Sequence, residues 1–99
     1  MYRLFVYGTL MDQDTRNQVL QRDVSMNSYK MSYAKLEGLI YNKNYKTVEF
    51  TQSSRDVIYG GIIMVSDDDI IRLDRYETSM YKRYTTRSGL TMYVENIEV

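Results

Sequence analysis

Ile70, Leu73 and Glu77 are spaced i, i+3, i+7, which places all three on one face of a helix. If Ile70 and Leu73 face the core, Glu77 points inward with them. A carboxylate on an apolar face needs a partner or a function, because burying it unpaired is costly. Two readings follow from the spacing alone. In one, Glu77 pairs with Arg83 or Tyr81 and fixes the helix end. In the other, partial desolvation raises its pKa and makes it a general base near neutral pH. The chain contains no His and no Cys. Ser-His-Asp and Cys-His catalysis, disulfides and the commonest transition-metal ligands are therefore excluded. Acid–base work falls to a carboxylate, a Lys or a Tyr.

Two other stretches bear on chemistry. The run Tyr7-Gly8-Thr9-Leu10 breaks a strand at a glycine, so it is either a binding turn or a corner of the fold. Asp67, Asp68 and Asp69 follow Ser66 and could be taken for a divalent-metal loop. Helix capping explains them better: Ser66 serves as N-cap, Asp69 stands three residues on, and acidic residues favour a first helical turn. No second acidic cluster follows at calcium-loop spacing, and neither metal nor cofactor is expected.

The elements that must position these residues can be read from periodicity. Tyr2–Tyr7 alternates Tyr2, Leu4, Val6 with Arg3, Phe5, Tyr7, and both rows are largely apolar, as in a central strand. Thr15–Arg22 reads as a helix beginning near Asp12 or Asp14, with Val19 and Leu20 inward. Ser32–Tyr41 reads as a strand with a bulge at Gly38, followed by an Asn-based turn and a short strand, Lys46–Phe50. Val57–Val65 is the most strand-like run, and Ser66 opens a second helix. Tyr81–Arg87 and Leu90–Val99 form a hairpin through Ser88-Gly89. This order predicts a single α+β domain over residues 1–99, a small mixed sheet, curled or closed into a barrel and flanked by short helices.

Lys plus Arg number 13 and Asp plus Glu number 13, so the balance lacks the electrostatic footprint of a nucleic-acid or membrane-surface protein. Tyr29, Lys30, Tyr33, Lys35, Tyr41, Lys43, Tyr45 and Lys46 interleave rings and cations in a way that suits single-strand stacking. Solvated lysines beside strand tyrosines account for the pattern better. No apolar run approaches a membrane span, and the first residues enter a strand without a signal-peptide core, so the expected location is the cytoplasm.

"FVYGTL" at residues 5–10 and "LDRYETSMYKR" at residues 73–83, joined by "VIYGGIIMVSDDDIIRLD", resemble the gamma-glutamylcyclotransferase-like superfamily. That family's pattern is a strand ending in Tyr-Gly-(Ser/Thr)-Leu, then Leu-Asp-x-x-Glu-Gly, then Tyr-x-Arg. The matching positions are Tyr7, Gly8, Thr9 and Leu10, then Leu73, Asp74 and Glu77, then Tyr81 and Arg83. The resemblance implies a cleft in which the Tyr7–Leu10 turn holds the α-amino-acid end of a γ-glutamyl compound, through backbone N–H groups that Gly8 leaves accessible. It implies that Glu77 takes a proton from the α-amine, which closes on the side-chain carbonyl to release an amine and 5-oxoproline. Within that frame Tyr7 either bonds the ligand or caps the core, and Thr9 either contacts the ligand or shapes the turn. Tyr81 packs in the core or lines the cleft, and Arg83 pairs with Asp74 or supports the Glu77 loop. Thr78 stands where the pattern has Gly, and the chain lacks the prolines and some of the length common in the family. A protein that binds a small anionic, amino-acid-like molecule in the same cleft without turnover is the alternative expectation.

Overall fold

The structure is a computed structural model that describes residues 1–97. The end of the anticipated last strand, residues 98 and 99, lies outside the described residues. Seven strands and two helices follow the order β1 (Tyr2–Val6), α1 (Gln13–Leu20), β2 (Asn27–Ser32), β3 (Ala34–Gly38), β4 (Lys46–Phe50), β5 (Val57–Val65), α2 (Asp67–Glu77), β6 (Tyr81–Thr85), β7 (Leu90–Glu95). Short 3-10 turns, Thr9–Met11 and Thr78–Met80, precede α1 and follow α2.

Five strands form one mixed, curled sheet in the order β2-β5-β1-β7-β6, and β3 pairs with β4 as a separate ribbon. β1 runs antiparallel to β5, with Leu4 opposite Ile63, and parallel to β7, with Leu4 opposite Thr91. The doubly apolar pattern of β1 follows from that central place. Leu4 and Val6 join Leu20 of α1 and Ile70 and Leu73 of α2 in one core. Phe5 enters a second core with Ala34 and Val48 of the ribbon. The helices thus cover one face of the sheet and the ribbon the other.

Both helices start as their sequences require. Asp12 caps α1, its carboxylate accepting from the Thr15 N–H at 2.9 Å. Ser66 and Asp69 form a full reciprocal capping box on α2. The first helix begins at Gln13, as its expected start near Asp12 or Asp14 requires, and ends at Leu20, two residues before Arg22, because Gln21 takes a left-handed conformation that terminates it.

The largest correction concerns Ser32–Tyr41. Tyr33 has φ +60, its N–H donates to the Asp56 carbonyl at 2.9 Å, and its carbonyl accepts from Thr51 at 2.8 Å. This kink divides the stretch between two sheets, β2 ending before it and β3 starting after it. Gly38 is no bulge; it closes β3, and a Cβ there would press on Lys43 at 3.0 to 3.2 Å. Gly60 answers a closer approach, since a Cβ would lie 2.3 Å from the Val6 carbonyl oxygen and 2.9 Å from the Phe5 ring. The β6–β7 turn closes at Gly89, whose φ of +86 favours glycine. No helix of the described residues is long and apolar enough to cross a membrane.

Candidate active site

β1 delivers Tyr7 to the edge of the sheet, and the chain then turns through Gly8, Thr9 and Leu10 with Leu10 buried. The turn is closed by Met11 N–H to Gly8 O at 3.0 Å and Asp12 N–H to Thr9 O at 3.1 Å. The N–H groups of Gly8, Thr9 and Leu10 find no acceptor among the described residues. A Cβ on Gly8 would meet no protein atom within 4 Å, so the backbone is bare on that side.

α2 brings Glu77 to the same place from the other end of the chain. Its apolar face buries Ile70 and Leu73, and the residue one turn further along, Glu77, is carried inward. A cavity of about 430 Å³ is lined by Tyr7, Gly8, Thr9, Leu10, Tyr76, Glu77, Thr78, Met80, Tyr81, Tyr93 and the β3–β4 residues Asn44, Tyr45 and Lys46. Among the described residues Glu77 is the one acidic and Lys46 the one basic residue of its lining.

The Glu77 carboxylate makes no hydrogen bond or ion pair among the described residues. Both partners that would have tied it down are engaged elsewhere. Arg83 Nε lies 3.2 Å from Asp74 Oδ1, and the Tyr81 hydroxyl donates to the Lys46 carbonyl at 2.8 Å. No buried side-chain polar atom of the described residues lacks a partner, so the carboxylate reaches the open space of the cavity. Burial pushes its pKa up from 4.5 to about 7.

Tyrosines surround it. The Tyr7 hydroxyl donates to the Tyr93 carbonyl, and Tyr93 donates its own to Asp74 Oδ1 at 2.6 Å. Burial, aided by the Glu77 charge, pushes Tyr81 up to about 12 and raises Tyr7 as well. Burial and the Asp74 carboxylate raise Tyr93. All three phenols keep their protons at neutral pH, which leaves Glu77 as the group in the wall able to accept one there.

Tyr7, Gly8, Thr9, Leu10, Glu77 and Tyr81 are therefore brought together on one cavity. Asp74 and Arg83 pair with each other outside it, and Asp74 touches its wall through the Tyr93 hydroxyl and the Thr78 N–H. Thr9 also shares a 2.5 Å hydroxyl–hydroxyl bond with Tyr76, which ties the turn to the end of α2. Tyr76, Tyr93 and the β3–β4 residues were not anticipated. Tyr93 carried a signal, since it stands in the inward row of an apolar strand. Asn44–Lys46 carried none, because a polar turn does not announce which side of a sheet it folds across.

A model of the family described as gamma-glutamyl cyclotransferase, AIG2-like, matches residues 4–96. The chain belongs to that family. No curated protein matches it. Two Arabidopsis thaliana proteins solved in solution share its fold, with TM-scores of 0.75 and 0.73 at 19% identity, over 95% and 99% of this chain. A solved gamma-glutamyl cyclotransferase superposes at TM-score 0.72 and 15% identity over 96% of this chain. The chain spans 61%, 70% and 66% of the lengths of these three proteins. At such identities the likeness of this member of the gamma-glutamyl cyclotransferase, AIG2-like family to those structures is one of fold.

Proposed function

We propose that the protein is a cyclotransferase that converts a γ-glutamyl amine or peptide to 5-oxoproline and a free amine. One observation carries the reading: a half-buried carboxylate with pKa about 7 and no partner among the described residues shares a cavity with a turn whose Gly8, Thr9 and Leu10 N–H groups find no acceptor there. The turn donors suit the substrate α-carboxylate, as successive backbone N–H groups do in other anion sites. Glu77 takes a proton from the α-amine, whose nitrogen then attacks the side-chain amide carbon. The new C–N bond closes the five-membered ring and the old amide C–N bond breaks. The proton held by Glu77 passes to the departing nitrogen, so no cofactor or external water is consumed. Nucleophile and electrophile belong to one molecule, and the cavity need only fold it into the closing conformation.

Incubation with a panel of γ-glutamyl amines and dipeptides should yield 5-oxoproline. Glu77→Gln should cut turnover about a thousandfold, the scale of a lost general base, with the far-ultraviolet circular dichroism unchanged. Activity retained in the variant would place the proton acceptor elsewhere. A binding protein without turnover is the second reading. Thr78 in place of the glycine of the family pattern favours it. Binding of 5-oxoproline with no product from any member of the panel would establish it.

A further inference from the structure

Arg16 is the one basic side chain buried among the described residues, at 4% exposure. No carboxylate of the described residues lies within ion-pair distance of it. Asp12, held below its usual range by its Thr15 bonds and more weakly by Arg16, is exposed and hydrogen-bonded to Thr15. Its guanidinium instead donates to three backbone carbonyls: Nε to Val24 at 2.9 Å, and Nη1 to Leu10 at 3.2 Å and Met11 at 2.9 Å. A buried cation with no carboxylate in ion-pair contact is a poor way to fill a core, where an apolar side chain would pack at no desolvation cost. What it reaches explains its presence. Leu10 and Met11 belong to the turn that lines the cavity.

We propose that Arg16 is a positioning residue that sets the cavity turn for a ligand carboxylate. The proposal rests on the reading of the turn as the carboxylate-holding wall. A single 3-10 turn is weakly held by its own bonds. By gripping the carbonyls of Leu10 and Met11 from behind, Arg16 fixes the rotation of these peptide planes. Those planes carry the N–H groups of Met11 and Asp12, which bond the Gly8 and Thr9 carbonyls at 3.0 and 3.1 Å. Each of those carbonyls lies opposite the N–H of its own plane, so the N–H groups of Thr9 and Leu10 are held facing away from the bonds of the turn. The Val24 carbonyl anchors the same guanidinium to the segment after α1, so the turn is braced against the body of the fold.

The test compares 5-oxoproline with 2-pyrrolidone, the same ring without its carboxylate. Each is titrated into wild type, Arg16→Met and Arg16→Lys, and binding is read from the Gly8 and Thr9 amide resonances. Wild type should favour 5-oxoproline about tenfold or more, the value of hydrogen bonds to a charged group. Arg16→Met should reduce that ratio to about twofold while leaving 2-pyrrolidone affinity unchanged, and Arg16→Lys should fall between. Equal loss for both ligands would mean a merely structural role and overturn the proposal. If Arg16→Met does not fold, Arg16→Lys decides: a lowered ratio supports the proposal and a wild-type ratio overturns it. A folded Arg16→Met with the wild-type ratio removes Arg16 alone. A wild type that does not distinguish the ligands, or binds neither, removes the carboxylate-holding wall itself.

Discussion

Replacing Glu77 by Gln should make the protein more stable at alkaline pH and leave it unchanged at acid pH. The carboxyl of Glu77 titrates at about 7 in the folded chain against an ordinary 4.5. Between those values the folded state holds a proton that the unfolded state has released. Wild-type stability therefore falls as pH rises through this window, and the loss is complete above the folded pKa. A shift of that size corresponds to about 2–3 kcal/mol, the lower end allowing for the solvent that reaches the carboxylate through the cavity. Glutamine has nearly the same shape and no charge to desolvate. Urea titrations of both proteins from about pH 4 to about pH 8 should give matching free energies at the acid end and diverge by about 2–3 kcal/mol at the alkaline end. The held-down carboxylates Asp12 and Asp69 lose their contributions as pH falls in both proteins, so they cancel in the difference. Parallel curves, or a variant less stable near pH 8, would refute the account of Glu77 as an unpartnered carboxylate.

Thr78 has φ +63 with ψ −171, a conformation a β-branched residue adopts only under strain. Thr78→Gly should raise stability by about 1 kcal/mol, strain relief exceeding the chain entropy of glycine and the lost Thr78–Met80 bond. Thr78→Ala should not, and a lower urea midpoint for the glycine variant would contradict this. Asp69 is 2% exposed, completes the capping box and pairs with Arg22 at 2.6 Å, joining the start of α2 to the residues after α1. Asp69→Ala should cost roughly 2–4 kcal/mol, read by thermal and urea unfolding, since it strips a cap and leaves Arg22 with the Met64 carbonyl in place of its carboxylate partner. A loss below about 0.5 kcal/mol would show that neither contact matters.

The parts of the site that sequence displayed were those whose physics is local. The face of α2 follows from spacing, and Glu77 stands out on it because a carboxylate does not belong among Ile70 and Leu73. The break after Tyr7 follows from the glycine. What stayed hidden depended on contacts far apart in the chain. β2, Asn27–Ser32, is an edge strand with only Met31 buried, so it shows no apolar alternation. The kink at Tyr33 is stabilised by Asp56 and Thr51, neither of which is near it in sequence. Arg16 reads as a solvated helix cation. One hint was present, since it falls one helical turn before the inward Leu20.

The parallel pairing of β1 with β7 also bears on how the molecule is made. β1 lies between β5 and β7, so the first strand has no neighbours until residues 57–65 and 90–95 exist. Loop closures of this length are slow, and little of the central sheet can form as the chain leaves the ribosome. The turn after Tyr7 and the carboxylate of Glu77 meet only at that late step. A nascent or truncated chain lacking β7 would expose Leu4, Phe5 and Val6 on an unpaired edge, the kind of surface that chaperones hold and that aggregates otherwise.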